Sequence, residues 1–391
     1  MMKRLLATAT LAVAATMSSP AIQAAEKPVR IGFSISKTGI FAQGAASQFT
    51  TYELWRDQVN ARGGLNVAGK KRPIKFVWYD DVSNPSKVAP IYEKLITNDR
   101  VDLLLAPWST PMHLAIAAVV EKHKFPVVGN TAASVALRQV KPGYIWFPTS
   151  MFPDKIAQEL ANLAKSQGVR SVAIIGNVLP FAQENRKFLL PALKKAGIAV
   201  KVDEKYPPNI SDMTPLLTKI KAAKVDGILV LSYPADSFLY MKQSKEIGIK
   251  APLQFVMVGP TIPVFPKAFG AHANGIITLG HWSPLQKKWW PRAKNFDAAY
   301  KAKYKMSPDY LDSALAYMSL EILEQAVATA GIDKAKLRQT IAGGTFQTIN
   351  GPVKFVGVEN KLLPTGFLQI QKDGTHIVWP KSMATSGIMK R

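Results

Sequence analysis

The sequence predicts an α/β protein made of two doubly wound parallel sheets. Strand-like apolar runs alternate with helix-like runs from residue 28 to 128, and the same rhythm restarts at 171 and continues to 258. Such alternation builds parallel sheets, because each strand needs a crossover to return in the same direction. Length is the third indication: 391 residues exceed what a single core comfortably fills.

Taken in order, residues 1–25 combine Lys3 and Arg4 with a short apolar stretch and small residues before Ala24 and Ala25. That is a secretory leader, cleaved near Ala24 or Ala25, and its apolar part is too short to span a bilayer. Residues 28–36 alternate as a strand, 37–44 form a glycine-flanked loop, and 45–60 form a helix that Gly63 and Gly64 close. A strand at 73–79 ends in Asp80-Asp81, and a helix follows at 85–98. Next comes VDLLLAPWSTPMHLAIAAVVEKHKFPVVGNTAAS, residues 101–134: a strand at 101–106, a helix at 110–122 and a strand at 125–128.

Residues 144–149 read as a strand-like crossing segment. The second set then has strands at 171–176, 199–206, 227–232 and 254–258, and helices at 181–196, 213–223 and 236–247. Later segments read as a run at 275–280, helices at 292–304 and 310–330, and strands at 351–355 and 366–371 that lead as a hairpin into 376–379.

The stretch 101–134 carries the candidate site. Thr110 with Pro111 behind it is a good helix start, so the first-turn N–H groups point toward Trp108, Ser109 and Thr110 and suit a carboxylate. In a right-handed βαβ unit the next loop, with Thr131, Ala133 and Ser134, opens at the same sheet edge. Taken singly, each of these hydroxyls reads more readily as a cap than as a ligand group.

Composition narrows the function. The net charge of +24 suits acidic partners, but the basic residues are scattered and only Lys70-Lys71-Arg72 cluster, so no nucleic-acid stripe is expected. Steering of an anionic solute remains. The chain has no cysteine, hence no disulfide and no lipid-bearing cysteine. Residues 64–71 nearly spell a phosphate-binding loop, but Lys71 stands where a hydroxyl is needed and the helix precedes rather than follows, so a turn is expected. The five histidines lack metal-ligand spacing and no nucleophile elbow occurs. Asp80 and Asp81 point to opposite sides of a strand end and read as loop hydrogen-bond acceptors. An enzyme is therefore not expected, and no cofactor is implied.

Several stretches together resemble the periplasmic binding proteins of ABC importers, in the branched-chain amino acid (Leu/Ile/Val) binding group. They are IGFSISKTGIFAQGAASQFTTYELWRDQVNARGGLNVAGKKRPIKFVWYDD, LLLAPWSTPMHLAIAAVVEKHKFPVVGNTAAS, NVLPFAQENRKFL, VLSYPADSFLYMKQSKEIGI and INGPVKF. The resemblance implies a type I periplasmic binding protein: two lobes joined by three crossing segments, near 144–149, 278–284 and 345–352, with the solute between lobes that close on it. It puts 26–147 and 283–350 in the first lobe and 148–282 and 351–391 in the second.

Carried over position by position, the resemblance places the carboxylate site on Ser109 or Thr110 with the backbone around Thr131. Ala133 stands where a hydroxyl is usual, with Ser134 as a substitute. Phe41, Phe181 and Tyr233 fall on cleft aromatics, joined by Trp108; packing between the lobes would explain these rings equally well. Where the group often has a glutamate for a ligand ammonium, this chain has Gly259-Pro260-Thr261-Ile262-Pro263, with Thr261 as the ligand-binding candidate there. The expected function is capture of a small anionic solute, an aromatic acid ahead of an amino acid, and its delivery to a membrane permease by a periplasmic monomer. A sensory protein of the same fold is the alternative, as is a branched-chain amino acid binder proper.

Overall fold

The computed structural model describes residues 26–139, 143–286 and 291–391; the expected leader lies outside the described residues. In the first lobe, strand Val29–Ile35 lies between Ile74–Asp80 and Leu103–Leu104, all parallel, with Ile31 opposite both Phe76 and Leu103. Val127–Val128 and Ile145–Trp146 form a further parallel pair. The second lobe holds a seven-stranded sheet. Five strands, Ala199–Tyr206, Ser171–Asn177, Gly227–Leu231, Leu253–Val256 and Ile276–Leu279, run parallel in that order, and the antiparallel hairpin Phe367–Gln371 with Gly374–Trp379 adds its edge.

The strands are short and apolar because helices cover both faces, so nearly every side chain of Ser171–Asn177 and Gly227–Leu231 is buried. Helix Ala42–Ala61 ends as its glycines require, with Gly63 at φ 91° and Gly64 at φ 109°. The near phosphate-binding loop is a turn: Leu65–Val67 pairs with Lys70–Arg72 across Ala68 and Gly69, both at positive φ. Asp81 accepts from Ser34 Oγ and Ser36 Oγ, while Asp80 accepts from the N–H groups of Lys37, Thr38 and Val82.

Two long helices escape the sequence reading, Pro153–Ser166 and Lys334–Gly343. The first buries Ile156, Leu160 and Leu163, and packs on helix Pro180–Ala196.

The expected lobe boundary after residue 350 is corrected. Gly351–Val356 pairs with Thr345–Thr348 and Glu359–Asn360, not with the strands at 367–379. This small sheet packs on helices Asp312–Ala330 and Lys334–Gly343, burying Phe346, Val353 and Phe355. Residues 345–360 therefore sit with the first lobe, and the third crossing lies between Asn360 and Phe367. The first crossing follows Ile145–Trp146 and is stitched to this sheet, since Phe147 N donates to Val358 O (2.7 Å) and Asn360 N to Phe147 O (3.1 Å). The second follows Ile276–Leu279, where buried His281 Nδ1 meets Asn350 Nδ2 at 2.5 Å.

Candidate ligand-binding cleft

The loops after the carboxyl ends of both sheets converge on one crevice, as doubly wound sheets dictate. After Leu103–Leu104 the chain turns through Trp108 and Ser109 into helix Thr110–Lys122. Ser109 holds φ 79°, a left-handed conformation a serine adopts only under constraint. Two contacts supply that constraint: its N–H donates to Thr131 Oγ1 (3.3 Å) and its carbonyl accepts from the His113 ring at 2.8 Å. Ser109 Oγ is buried and has no hydrogen-bond partner among the described residues.

His113 joins the two candidate loops. Its Nδ1 reaches Ser109 O and its Nε2 accepts from Asn130 N (3.4 Å), so the ring serves as a neutral donor and acceptor. Burial pulls its pKa down to about 4. From helix Ala42–Ala61, the Gln48 amide and the Tyr52 hydroxyl both donate to Ala106 O at 2.9 Å. Asn130 Nδ2 donates to Tyr52 Oη (2.6 Å), and Thr131 Oγ1 to Gln48 Oε1 (2.9 Å). Thr110 Oγ1 accepts from Ala133 N (3.2 Å), opposite Ala133 O at 3.3 Å. The hydroxyls of Thr110 and Thr131 thus hold the two loops together. Ser134 is corrected: its Oγ accepts from Ala136 N, capping the short turn Val135–Arg138, and it is not part of the cavity wall.

The opposite wall comes from the second lobe. Phe181 stands in the first turn of helix Pro180–Ala196, and Tyr233 immediately precedes helix Pro234–Ile247. Asp236 accepts from Tyr233 N (3.2 Å) and Asn177 Nδ2 (2.7 Å), so this acid fixes the Tyr233 backbone and does not line the cavity. Tyr233 Oη is buried with no side-chain partner among the described residues; burial pushes its pKa up, and the Phe181 backbone facing it works the other way. The rings meet across the lobes: Phe41 lies 5.4 Å from Trp108 and 5.6 Å from Tyr233 between centroids. Trp108 reaches this position because Gly44 leaves room for it; a Cβ there would stand 2.2 Å from the indole.

Trp108, Ser109, Thr110, Thr131, Ala133, Phe181 and Tyr233 line one narrow cavity, with about 50 Å³ open to the centres of water-sized spheres. Phe41 backs the wall against Trp108 and Tyr233. Thr261 is corrected: it lines a separate groove with Lys267, Lys301 and Lys305.

The sequence reading missed Asn130, Thr149, Met151 and, above all, Asp312. Asp312 opens helix Asp312–Ala330, is buried, and accepts from Trp108 Nε1 at 3.0 Å. Burial and the neighbouring Asp309 carboxyl push its pKa well up. Among the described residues the cavity wall carries this one carboxyl and no basic side chain. The signal available in sequence was an acid among Leu311, Ala314 and Leu315, all apolar. Among the described residues no group of three or more His, Cys, Asp or Glu could hold a metal.

A profile of the family described as periplasmic binding protein matches residues 28–374. The chain belongs to that family. Among curated relatives of this periplasmic binding protein, the Leu/Ile/Val-binding protein homolog 7 of Brucella suis biovar 1 (strain 1330) is 26% identical over 346 residues, covering 85% of this chain and 84% of the relative. Among solved structures, the branched-chain amino acid substrate-binding protein LivJ from Streptococcus pneumoniae, in complex with isoleucine, has a TM-score of 0.79 at 21% identity, covering 90% of this chain and all of that one. A solute-binding protein of R. palustris in complex with benzoate also reaches 0.79, at 17% identity and with 93% and 97% covered. One from Rhodopseudomonas palustris BisB5 in complex with 3,4-dihydroxy benzoic acid reaches 0.75, at 21% identity and the same coverage. At these identities the structures show a shared two-lobed fold. As a periplasmic binding protein the chain is a solute-binding component of an ABC transporter rather than an enzyme. No helix among the described residues is long and apolar enough to cross a membrane.

Proposed function

We propose that this periplasmic binding protein captures a compact carboxylate between its lobes and delivers it, as a monomer, to the permease of an ABC importer. Ser109 carries the reading: its Oγ is buried, has no partner among the described residues, and sits on the cavity wall where helix Thr110–Lys122 begins. A buried hydroxyl left without a partner costs about 1–3 kcal/mol, which a ligand oxygen would offset. The helix start adds its partial positive charge. Isoleucine, benzoate and 3,4-dihydroxy benzoic acid, the solutes of three structural neighbours, share a carboxylate and little else. The chain's net charge, +24 and 24 − 2 = +22 once Lys3 and Arg4 leave with the leader, favours encounter with an anion. The leader is removed near Ala24 or Ala25.

Flat rings at Phe41, Trp108, Phe181 and Tyr233 favour an aromatic acid. Asp312 on the same wall favours the second reading, an amino acid whose ammonium it would pair. A thermal-shift panel of benzoate-like acids, phenylpropenoate-like acids and branched-chain amino acids tests the function. A true ligand at a hundred times its dissociation constant adds about 2.7 kcal/mol of stability. No response to any carboxylate, with neutral or cationic solutes active instead, would defeat the proposal.

A further inference from the structure

We propose that Asp312 reads a hydrogen-bond donor on the solute, so that this cavity selects carboxylates that also carry an ammonium or a hydroxyl group. The inference rests on the carboxylate reading above and adds the second recognition point. Asp312 is buried in the cavity wall, and among the described residues Trp108 Nε1 at 3.0 Å is the one side-chain donor to its carboxyl. Asp309, three residues earlier, is buried beside it. Its Oδ1 accepts from Leu311 N (2.8 Å) and Asp312 N (3.3 Å), and the Thr261 and Ser47 hydroxyls face the same carboxyl.

Two carboxyls are thus held out of water with no cation paired to either among the described residues. A buried acid without a counter-charge is costly, and the Trp108 indole needs only an acceptor there, not a charge. A neutral amide would serve it on a wall that is otherwise apolar at Leu311 and Leu315. The indole holds the carboxyl in place but satisfies only part of its accepting capacity, which leaves Asp312 available to a donor inside the cavity.

A second observation points to a ligand independently. Ser109 Oγ and Tyr233 Oη, each more than nine-tenths buried, line the same cavity and lack side-chain partners among the described residues. Ser109 and the helix start suit the anionic end of a solute. Once paired with a solute ammonium, Asp312 cannot also share that role, since like charges repel. The wall is therefore two-ended, with Trp108 joining the ends: its backbone leads into Ser109 and its indole grips Asp312. The acid comes from the first lobe, far in sequence from Gly259-Pro260, where the family resemblance led one to look.

Calorimetry with matched solute pairs tests this on the unaltered protein: leucine against 4-methylpentanoate, and 4-hydroxybenzoate against benzoate. The donor-bearing member of at least one pair is expected to bind roughly tenfold or more tightly, because its absence leaves a buried acceptor unpaired. The leucine pair reports an ammonium and the benzoate pair a hydroxyl. Asp312→Asn, shown folded by its thermal transition, is expected to lose most of that preference; if it does not fold, the unaltered protein still decides. Carboxylate binding with no preference in either pair would overturn the role of Asp312 and leave the carboxylate reading intact, as would a preference unchanged in folded Asp312→Asn. Failure of every carboxylate to bind overturns both.

Discussion

Ser109 bears a left-handed backbone and a buried hydroxyl without a partner, both unfavourable in the ligand-free chain. Ser109→Ala should therefore weaken solute binding by roughly 1.5–3 kcal/mol, the worth of a charge-assisted hydrogen bond, while leaving the thermal stability of the free protein equal or higher. Calorimetry and melting curves separate the two effects, and a folded variant with unaltered affinity would move the anion site elsewhere. Thr110→Ala should behave oppositely, lowering stability first, because its hydroxyl spans to Ala133 in the other loop. Gly44 is the residue on which the aromatic wall depends. Alanine there is the better helix former by about 1 kcal/mol, yet its Cβ would stand 2.2 Å from Trp108, and overpacking costs about 1–3 kcal/mol. Gly44→Ala should melt lower and bind more weakly; a melt unchanged or higher would show that the indole can move aside.

At the scale of elements, the βα rhythm was legible because strands and helices have different hydrophobic periods, and the loops at 108–110 and 131–133 followed from the handedness of the crossover. Asp312 was not legible. It meets Trp108 across 204 positions, and an acid in a helix's first turn is ordinary by local rules. The strand at 351–356 was readable, but its lobe was not, since packing of Phe346, Val353 and Phe355 on two helices decides it. In sequence His113 is one of five histidines without metal-ligand spacing, yet it couples the two site loops through both ring nitrogens. Burial lowers its pKa, and that of His281 at the second crossing, to about 4. Below pH ~6.5 the unfolded chain takes up protons that these folded rings refuse, so their contribution is lost as pH falls toward 4, by up to roughly 3 kcal/mol each. The buried carboxyls of Asp309 and Asp312, raised instead, work in the opposite sense: their contribution is lost as pH rises. The difference between wild type and His113→Gln isolates the ring. The variant should be less stable at pH 7.5 and lose part of its disadvantage by pH 4.5, whereas parallel melting profiles would show that His113 does not stay neutral.

The whole molecule turns on three crossings between lobes that touch around the cavity. Phe41 and Trp108 of the first lobe lie 5.6 and 6.4 Å from Tyr233 of the second, and Val135 N donates to Glu184 Oε1 at 2.9 Å across the cleft. Apolar contact between these rings favours closure. Against it stand Ser109 Oγ and Tyr233 Oη, which closure buries without side-chain partners among the described residues, at about 1–3 kcal/mol each. Opening hydrates both groups at the expense of ring contact, whereas a solute bound between the lobes can satisfy them and keep the contact. The closed form is thus the one a ligand favours, by its differential affinity for the two states. The radius of gyration from small-angle scattering should fall when saturating ligand is added to protein first stripped of solute by unfolding and refolding. Tyr233→Phe removes one of these hydroxyls but keeps the ring, so the stripped variant should already be more closed than wild type. If stripped wild type and Tyr233→Phe both scatter as the ligand-bound protein does, the buried hydroxyls do not hold the cleft open and closure is independent of the solute.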